Sequence, residues 1–305
     1  MPKKDAKYIV QSDLTEIEIR FYRQYDALAL INKVLALKHV SDRQEEFREQ
    51  ISAREELAAF TIDDRYFDSL RAEIYLTEYH QFEAFLALLI APFKGLPTWI
   101  FLTAYRPGEM FVAARSYLKN DIKSLTNGCF DQKSDFLKYA LYTLVQPSEQ
   151  ELIDRWDENI ANAEWLVDRM AQRYIDGLDA YNAYKHGLRV LTGSSTFTFR
   201  LESSPGGPVE SVIDQIASPD SLTFLEIQST PEGDKVVHET TRHVNPGIAI
   251  LYVSRMAAMA ETMRRTRLFH FDGTPVGNLH TFFSLDKDWV IALETERMFQ
   301  FKRTL

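Results

Sequence analysis

The 305-residue sequence contains a single cysteine, Cys129. A lone cysteine excludes an internal disulfide and a metal site built from thiolates, and this sparing use of cysteine fits a reducing cytoplasm. Positive charge is also scarce, because 35 Lys and Arg residues stand against 44 Asp and Glu residues, for a formal net charge of −9. This balance argues against broad, sequence-independent binding of nucleic acid, although it leaves room for a small local basic site.

Long apolar runs are missing as well. The most apolar region, residues 82–105, is interrupted by charged residues and prolines. Its longest uninterrupted piece, residues 84–92, falls far short of the ~20 residues that a membrane-spanning helix requires. The basic residues 1–5 have no apolar stretch behind them, so we expect no signal peptide. We therefore predict a cytoplasmic protein with no membrane partner.

The motifs of several enzyme classes are absent. The sequence has no Gly-rich phosphate loop and no serine nucleophile elbow. No histidine follows a Glu or Asp at the three-residue spacing of carboxylate-bridged di-iron bundles. His80, Glu83 and Glu73 share one predicted helix face, but one histidine and two carboxylates on a single helix make a weak ligand set. We predict no metal and no cofactor.

Helical patterns dominate the first two thirds of the sequence. Thr15 and Glu18 have the spacing of a capping box. Apolar residues recur at helical spacing after this box, so we predict one helix that continues to Leu35. Further helices are predicted over residues 42–56, over residues 64–91, from Pro107 to a left-handed cap at Asn127–Gly128, and over residues 134–145.

The clearest helical pattern runs from Ser148 to Val190. Ser148 and Glu151 form a second capping box, and an apolar stripe of near-heptad spacing follows. We predict that this helix is the central element of a bundle. Three of its apolar side chains are expected to be buried: Trp156, Val167 and Tyr174.

The end of this pattern, residues 181–189, carries an unusual group of polar side chains. Because side chains three and four apart share a helix face, Asn182 and His186 would project together, with Lys185 and Arg189 nearby. An imidazole can give or take a proton near neutral pH, and cationic side chains offset charge that builds up on a phosphate. The same residues are also typical of the solvated face of an ordinary helix.

The run from Asn182 to His186, at the end of the last long helix of a predicted bundle, resembles the motif region of HEPN-type domains. In that family the signature is an arginine, often followed by a polar residue such as asparagine, and then a histidine a few residues later. Asn182 and His186 match this signature. The arginine does not, because Asp179, Ala180 and Tyr181 occupy the place where it is expected.

The resemblance implies a fold, partners and roles for residues. HEPN-type domains are helical bundles, and many form dimers in which the motif residues of the two chains face one another in a cleft. Active members are metal-independent ribonucleases of toxin–antitoxin, defence and RNA-processing systems, and other members are not catalytic. For this chain the resemblance implies a homodimer that acts on or binds RNA or a nucleotide, with an antitoxin or other protein as a further partner. His186, Asn182 and Lys185 would be catalytic, and Arg189 and Tyr181 would bind the substrate.

A second function fits the same residues. In this alternative the protein is a non-enzymatic interaction or scaffold protein, and the helix face of residues 179–189 docks a partner or a second copy of the chain. The two hypotheses differ in the surface that they require. A catalytic site needs a concave cleft, whereas a docking face lies on an open convex surface.

The last third of the sequence changes character. Residues 195–202 alternate strictly between apolar and polar side chains, which predicts a strand with one buried face. A loop is predicted over residues 203–208, and residues 222–228 and 235–241 are predicted to pair as a hairpin around 231–234. The tail, residues 279–301, is predicted to form further strands.

A helix is predicted between these strands and the tail. It begins with Asn245 as N-cap and Pro246 as first residue, and it runs to about Arg265. The basic cluster Arg264–Arg267 would then follow the helix, where positive charge complements the helix dipole; a phosphate-contacting patch is the alternative. The predicted fold class is mainly α: a helical bundle over residues 1–192 and a smaller α+β region over residues 193–305, packed on the bundle.

Overall fold

A computed structural model describes residues 11–57, 62–142, 150–185, 190–202, 209–229, 235–273, 286–293 and 298–304. The fold is mainly α with a smaller C-terminal α+β region, which confirms the predicted fold class. The helices are α1 (Gln11–Gln24), α2 (Ala29–Asp42), α3 (Gln44–Ser52), α4 (Asp64–Ile90), α5 (Thr98–Ala104), α6 (Pro107–Leu118), α7 (Ile122–Leu125), α8 (Lys133–Tyr142), α9 (Gln150–Lys185), α10 (Pro246–Asp272) and α11 (Lys287–Leu293). The strands are β1 (Val190–Glu202), β2 (Val209–Ser229), β3 (Lys235–His243) and β4 (Met298–Thr304).

The chain divides into two compact units, each built from three separate segments. The first, the helical unit, comprises Met1–Asn32, Tyr79–Asp176 and Tyr252–Asp286, and the second, the sheet unit, comprises Lys33–Glu78, Gly177–Leu251 and Lys287–Leu305. The boundary predicted between residues 192 and 193 falls inside β1. The sheet unit also includes helical segments that precede this boundary in the sequence. The packing of residues 193–305 on a helical bundle of residues 1–192 stays a prediction.

The sheet unit contains a four-stranded antiparallel sheet in the order β1-β2-β3-β4. The strands predicted at 195–202, 222–228 and 235–241 are confirmed, and β2 and β3 pair as a hairpin requires. Thr223 lies opposite Thr241 in this pairing, and their hydroxyl groups hydrogen-bond at 2.8 Å. The predicted loop at 203–208 and the predicted turn at 231–234 lie outside the described residues.

Helical segments contact the sheet within this unit through both apolar and charged side chains. Ala180 and Ala183 of α9 pack against Phe224 of β2, with Val190 beside them. The side chains of these two alanines are small, so α9 can pack directly on the sheet. On α4, the guanidinium of Arg71 forms ion pairs with Asp68 and with Asp220, which lies on β2.

The helical unit has an aromatic core that confirms the predicted buried stripe. Trp156, Val167 and Tyr174 of α9 are 4%, 0% and 1% exposed. The centres of the Trp156 ring and the Tyr142 ring of α8 are 4.6 Å apart, and those of the Tyr174 ring and the Phe82 ring of α4 are 5.3 Å apart. α9 runs through Gly177 to Lys185, so the helix continues past the glycine, but its predicted end at Val190 is wrong, because Val190 is the first residue of β1. The predicted cap residue Ser148 lies outside the described residues.

The capping box predicted at Thr15 and Glu18 is wrong, because α1 includes Gln11 and Thr15 lies inside it. Glu18 caps a different helix. Its carboxylate accepts hydrogen bonds from the Thr98 backbone N–H at 2.7 Å and from the Thr98 hydroxyl at 2.6 Å, at the first residue of α5. A spacing that looks local in sequence therefore serves a contact between distant segments.

We expect Glu18→Ala to lower the free energy of unfolding by about 2–4 kcal/mol, because Glu18 is 9% exposed and its loss leaves the Thr98 donors without a charged acceptor. Urea unfolding followed by circular dichroism would measure the change. Glu16→Ala, at an exposed position of the same helix, is the control and should change stability by less than about 0.5 kcal/mol. Equal losses in the two variants would contradict the capping role.

Helix ends are the main errors of the sequence-based predictions in the first half of the chain. The helix predicted to continue to Leu35 is two helices, since α1 ends at Gln24 and α2 begins at Ala29. The one predicted from Pro107 ends at Leu118, where Asn120 adopts a φ of 59°, and α7 then precedes the left-handed Asn127 and Gly128. Asparagine adopts the left-handed conformation more readily than most residues, so both Asn120 and Asn127 are suitable helix ends. The prediction placed the end of the helix at the second of these two positions instead of the first.

The C-terminal helix differs most from its prediction. Asn245 is the N-cap as predicted, with its Oδ1 accepting from the backbone N–H groups of Gly247 at 3.0 Å and Ile248 at 3.3 Å. α10, however, extends to Asp272, so the basic cluster Arg264–Arg267 lies within the helix and the dipole explanation does not apply. In the tail β4 is a strand as predicted, but Lys287–Leu293 is the helix α11. Short apolar runs such as this one fit either periodicity.

Candidate functional site

Three of the residues predicted to form a site, Tyr181, Asn182 and Lys185, lie at the C-terminal end of α9. Asn182 and Lys185 are exposed there, and Ala180 and Ala183 of the same segment pack on the sheet. The polar residues therefore occupy the face of α9 that points away from the sheet. His186 and Arg189 lie outside the described residues, so the convergence of all four polar side chains stays a prediction.

The side chain of Tyr181 is buried and is therefore not part of this exposed face. Its side chain is 4% exposed, and the Lys185 Nζ lies 4.0 Å from the centre of its ring, one helical turn away. A cation above an aromatic face is stabilised by about 0.5–1 kcal/mol at an exposed site. This contact holds the Lys185 ammonium close to the helix, while the buried Tyr181 ring offers little surface for stacking with a base.

Comparison with known proteins gives neither a family nor a function for this chain. No protein-family model, no curated protein and no solved structure matches the chain. The resemblance to HEPN-type domains therefore rests on Asn182, His186 and the helical architecture alone.

No three His, Cys, Asp or Glu side chains lie close enough together to hold a metal ion among the described residues. Of the trio considered from the sequence, His80 is exposed, Glu83 is 4% exposed, and Glu73 forms an ion pair with Lys33. In the parts of the chain that the structure describes, no helix has an apolar stretch that would cross a bilayer.

The structure contains a cavity that sequence reasoning missed. It lies in the helical unit, has a volume of about 330 Å³, and is lined by residues of α1, of the segment between α4 and α5, of α8 and of α10. Two buried charged side chains reach it, Glu18 at 9% exposure and Arg267 at 5% exposure. The sequence does contain a signal for this cavity. If the helix predicted to end at about Arg265 is continued, the spacing of Arg267, His270 and Phe271 places their side chains on one helix face.

Burial dominates the electrostatics around this cavity. It raises the pKa of the Glu18 carboxyl above its ordinary value, while the hydrogen bonds from Thr98 and the positive charge of Arg267 act in the opposite direction. Burial also raises the pKa of Tyr22 to about 12, and its hydroxyl hydrogen-bonds the Thr98 hydroxyl at 3.0 Å. Glu18, Thr98 and Tyr22 thus form one buried hydrogen-bonded group beside the cavity.

Proposed function

We propose that this is a HEPN-like protein that binds or acts on RNA or a nucleotide at a His186-centred site at the end of α9. The observation that carries the proposal is the exposure of Asn182 and Lys185 at the end of a 36-residue helix in a mainly helical fold, within four positions of His186 in the sequence. The setting that goes with it is a defence, toxin–antitoxin or RNA-processing system. A homodimer would bring the ends of two α9 helices together.

The proposed site has a chemistry that needs no metal. The His186 imidazole takes the proton of a ribose 2′-hydroxyl or protonates the leaving oxygen. Lys185 or Arg189 stabilises the charge that develops on the phosphorus centre, and Asn182 holds the imidazole or a substrate oxygen. Because no arginine occurs at residues 179–181, cleavage requires one of these cations to replace it. A protein that binds without cleaving fits the same residues.

A non-enzymatic interaction or scaffold function is the second candidate. The missing arginine and the net charge of −9 favour it over catalysis. In this form the exposed face around Asn182 and Lys185 docks an antitoxin, another protein or a second copy of the chain. RNA binding separates the two candidates, because only the first requires phosphate contacts at this face.

We expect Lys185→Gln to weaken the binding of a short fluorescent single-stranded RNA. The slope of log affinity against log salt concentration should also become shallower by about 0.7, since each phosphate contact on a single strand contributes roughly that amount. Fluorescence anisotropy over a series of salt concentrations would measure both effects. Lys119→Gln changes an exposed lysine at the end of α6 and is the matched control.

Two outcomes would count against the proposal. If Lys185→Gln and Lys119→Gln bind RNA equally well, the end of α9 is not the contact surface. If the wild-type protein binds no RNA even at low salt, the interaction function is favoured. Sedimentation of the wild-type protein would then show whether it forms a homodimer.

A further inference from the structure

The Arg267 guanidinium is buried without a full set of partners. One of its N–H groups donates to the Tyr139 hydroxyl at 3.4 Å, and the group lies 4.9 Å from the centre of the Tyr139 ring. No carboxylate of the described residues lies within ion-pair distance of it. A guanidinium carries five N–H donors in a planar fork. With one donor engaged at this long distance, Arg267 retains donors for an oxyanion.

These donors are next to space for a ligand. Arg267 lines the cavity of about 330 Å³, which is near the lower end of the usual size for small-molecule sites. Its apolar walls include Leu14, Leu96 and Phe271. His270 lies at the exposed side, about one helical turn from Arg267, and supplies a further ring nitrogen. The cavity therefore combines one buried cation with apolar walls suited to a small amphipathic molecule.

Glu18 sets the charge that such a ligand can carry. Its carboxylate lines the same cavity and is already engaged by the two hydrogen bonds from Thr98. Doubling the charge of the ligand doubles both its attraction to Arg267 and its repulsion by Glu18, whereas the cost of removing the anion from water rises with the square of its charge, so a partly apolar cavity favours a monoanionic carboxylate over a dianionic phosphate. A carboxylate also matches the planar fork of a guanidinium with two parallel hydrogen bonds.

We propose that this cavity is a binding site for a small monocarboxylate with an apolar body. The ligand carboxylate accepts hydrogen bonds from Arg267, and the body occupies the space between Leu14, Leu96 and Phe271. The residues of this site are different from those proposed at the end of α9, so the proposal stands whether or not the protein binds RNA. Its competitor is a purely structural role in which Arg267 balances the charge of Glu18 and the cavity binds no organic anion.

Benzoate and phenyl phosphate are suitable probes, because they share one apolar ring and differ in the anionic group. Titration calorimetry with the full-length protein should detect benzoate, and phenyl phosphate should bind more weakly. Arg267→Gln should raise the dissociation constant of benzoate about tenfold or more, as expected for loss of a charge-assisted hydrogen bond. Arg265→Gln is the matched control. Arg265 is on the same helix but pairs with Glu261 and is absent from the cavity wall, so benzoate binding should not change.

A second variant keeps the test valid if Arg267→Gln does not fold. Leu96 is 47% exposed, so Leu96→Trp should fold and fill part of the cavity while Arg267 is retained. Its thermal melting should match that of the wild type, and its affinity for benzoate should fall about tenfold or more. Absence of benzoate binding to the wild type would establish the structural role. Tighter binding of phenyl phosphate than of benzoate would overturn the monocarboxylate assignment, and equal losses in Arg265→Gln and Arg267→Gln would remove the site.

Discussion

The His186→Ala variant is expected to cleave single-stranded RNA about 10²–10⁴-fold more slowly than the wild-type protein, which is the usual contribution of a general acid or base. Imidazole is the side-chain type suited to proton transfer near neutral pH, and His186 is the only histidine among the residues of the proposed site, so no neighbouring residue can replace it in that step. Lys185 or Arg189 would still stabilise charge on the phosphate. The variant should therefore retain RNA binding while losing most of its cleavage rate.

Single-turnover cleavage with excess protein is the measurement, because it separates the chemical step from product release. His39→Ala changes an exposed histidine on α2 and is the control for non-specific effects. A chelator should leave the rate of the wild type unchanged, since no metal takes part in the proposed step. Equal rates for His186→Ala and the wild type would remove the proposed site. Intact RNA with the wild type, freed of inhibitor or partner, would favour the interaction function.

The Trp156→Ala variant is expected to lose about 3–5 kcal/mol of unfolding free energy. Trp156 is 4% exposed, and its ring lies 4.6 Å from that of Tyr142. The Tyr142 hydroxyl in turn accepts a hydrogen bond from Asn159 Nδ2 at 2.5 Å. Removing the indole therefore leaves a cavity between α8 and α9. It also removes the ring that packs on Tyr142, whose hydrogen bond with Asn159 is buried.

Urea unfolding followed by circular dichroism would measure this loss. Trp99→Ala, at a position that is 40% exposed, is the matched control and should cost less than about 1 kcal/mol. If Trp156→Ala also costs less than about 1 kcal/mol, the indole does not contribute to the core as its burial indicates. Coincident transitions at several wavelengths would show that both proteins unfold in one step.

The sequence-based predictions succeed where one strong periodic signal covers many residues. In α9, Trp156, Val167 and Tyr174 recur over several turns, and all three are buried. The alternating strand at 195–202 and the N-cap Asn245 are confirmed for a related reason: the pattern and the local hydrogen bond are both contained in a few consecutive residues. Such features need no knowledge of what packs against them.

The predictions fail where a residue bonds to a distant segment. Glu18 has the spacing of a local capping box, yet its carboxylate caps α5 at Thr98. Arg267 looks like one member of a basic run after a helix, yet α10 continues beyond it and buries its side chain. Arg264 and Arg265 in the same run instead pair with Glu261 one turn earlier. Identical residue types therefore acquire different roles within four positions.

Composition and periodicity alone determined that this chain is mainly helical, that it ends in a region with strands, and which face of α9 is buried. These properties arise from interactions between neighbours in the sequence and from the tendency of apolar side chains to leave water. Only the tertiary structure decided that Glu18 and Arg267 line one cavity, because their helices, α1 and α10, are far apart in the sequence. The cost of burying charge depends on which partners the fold supplies, and no local pattern records those partners.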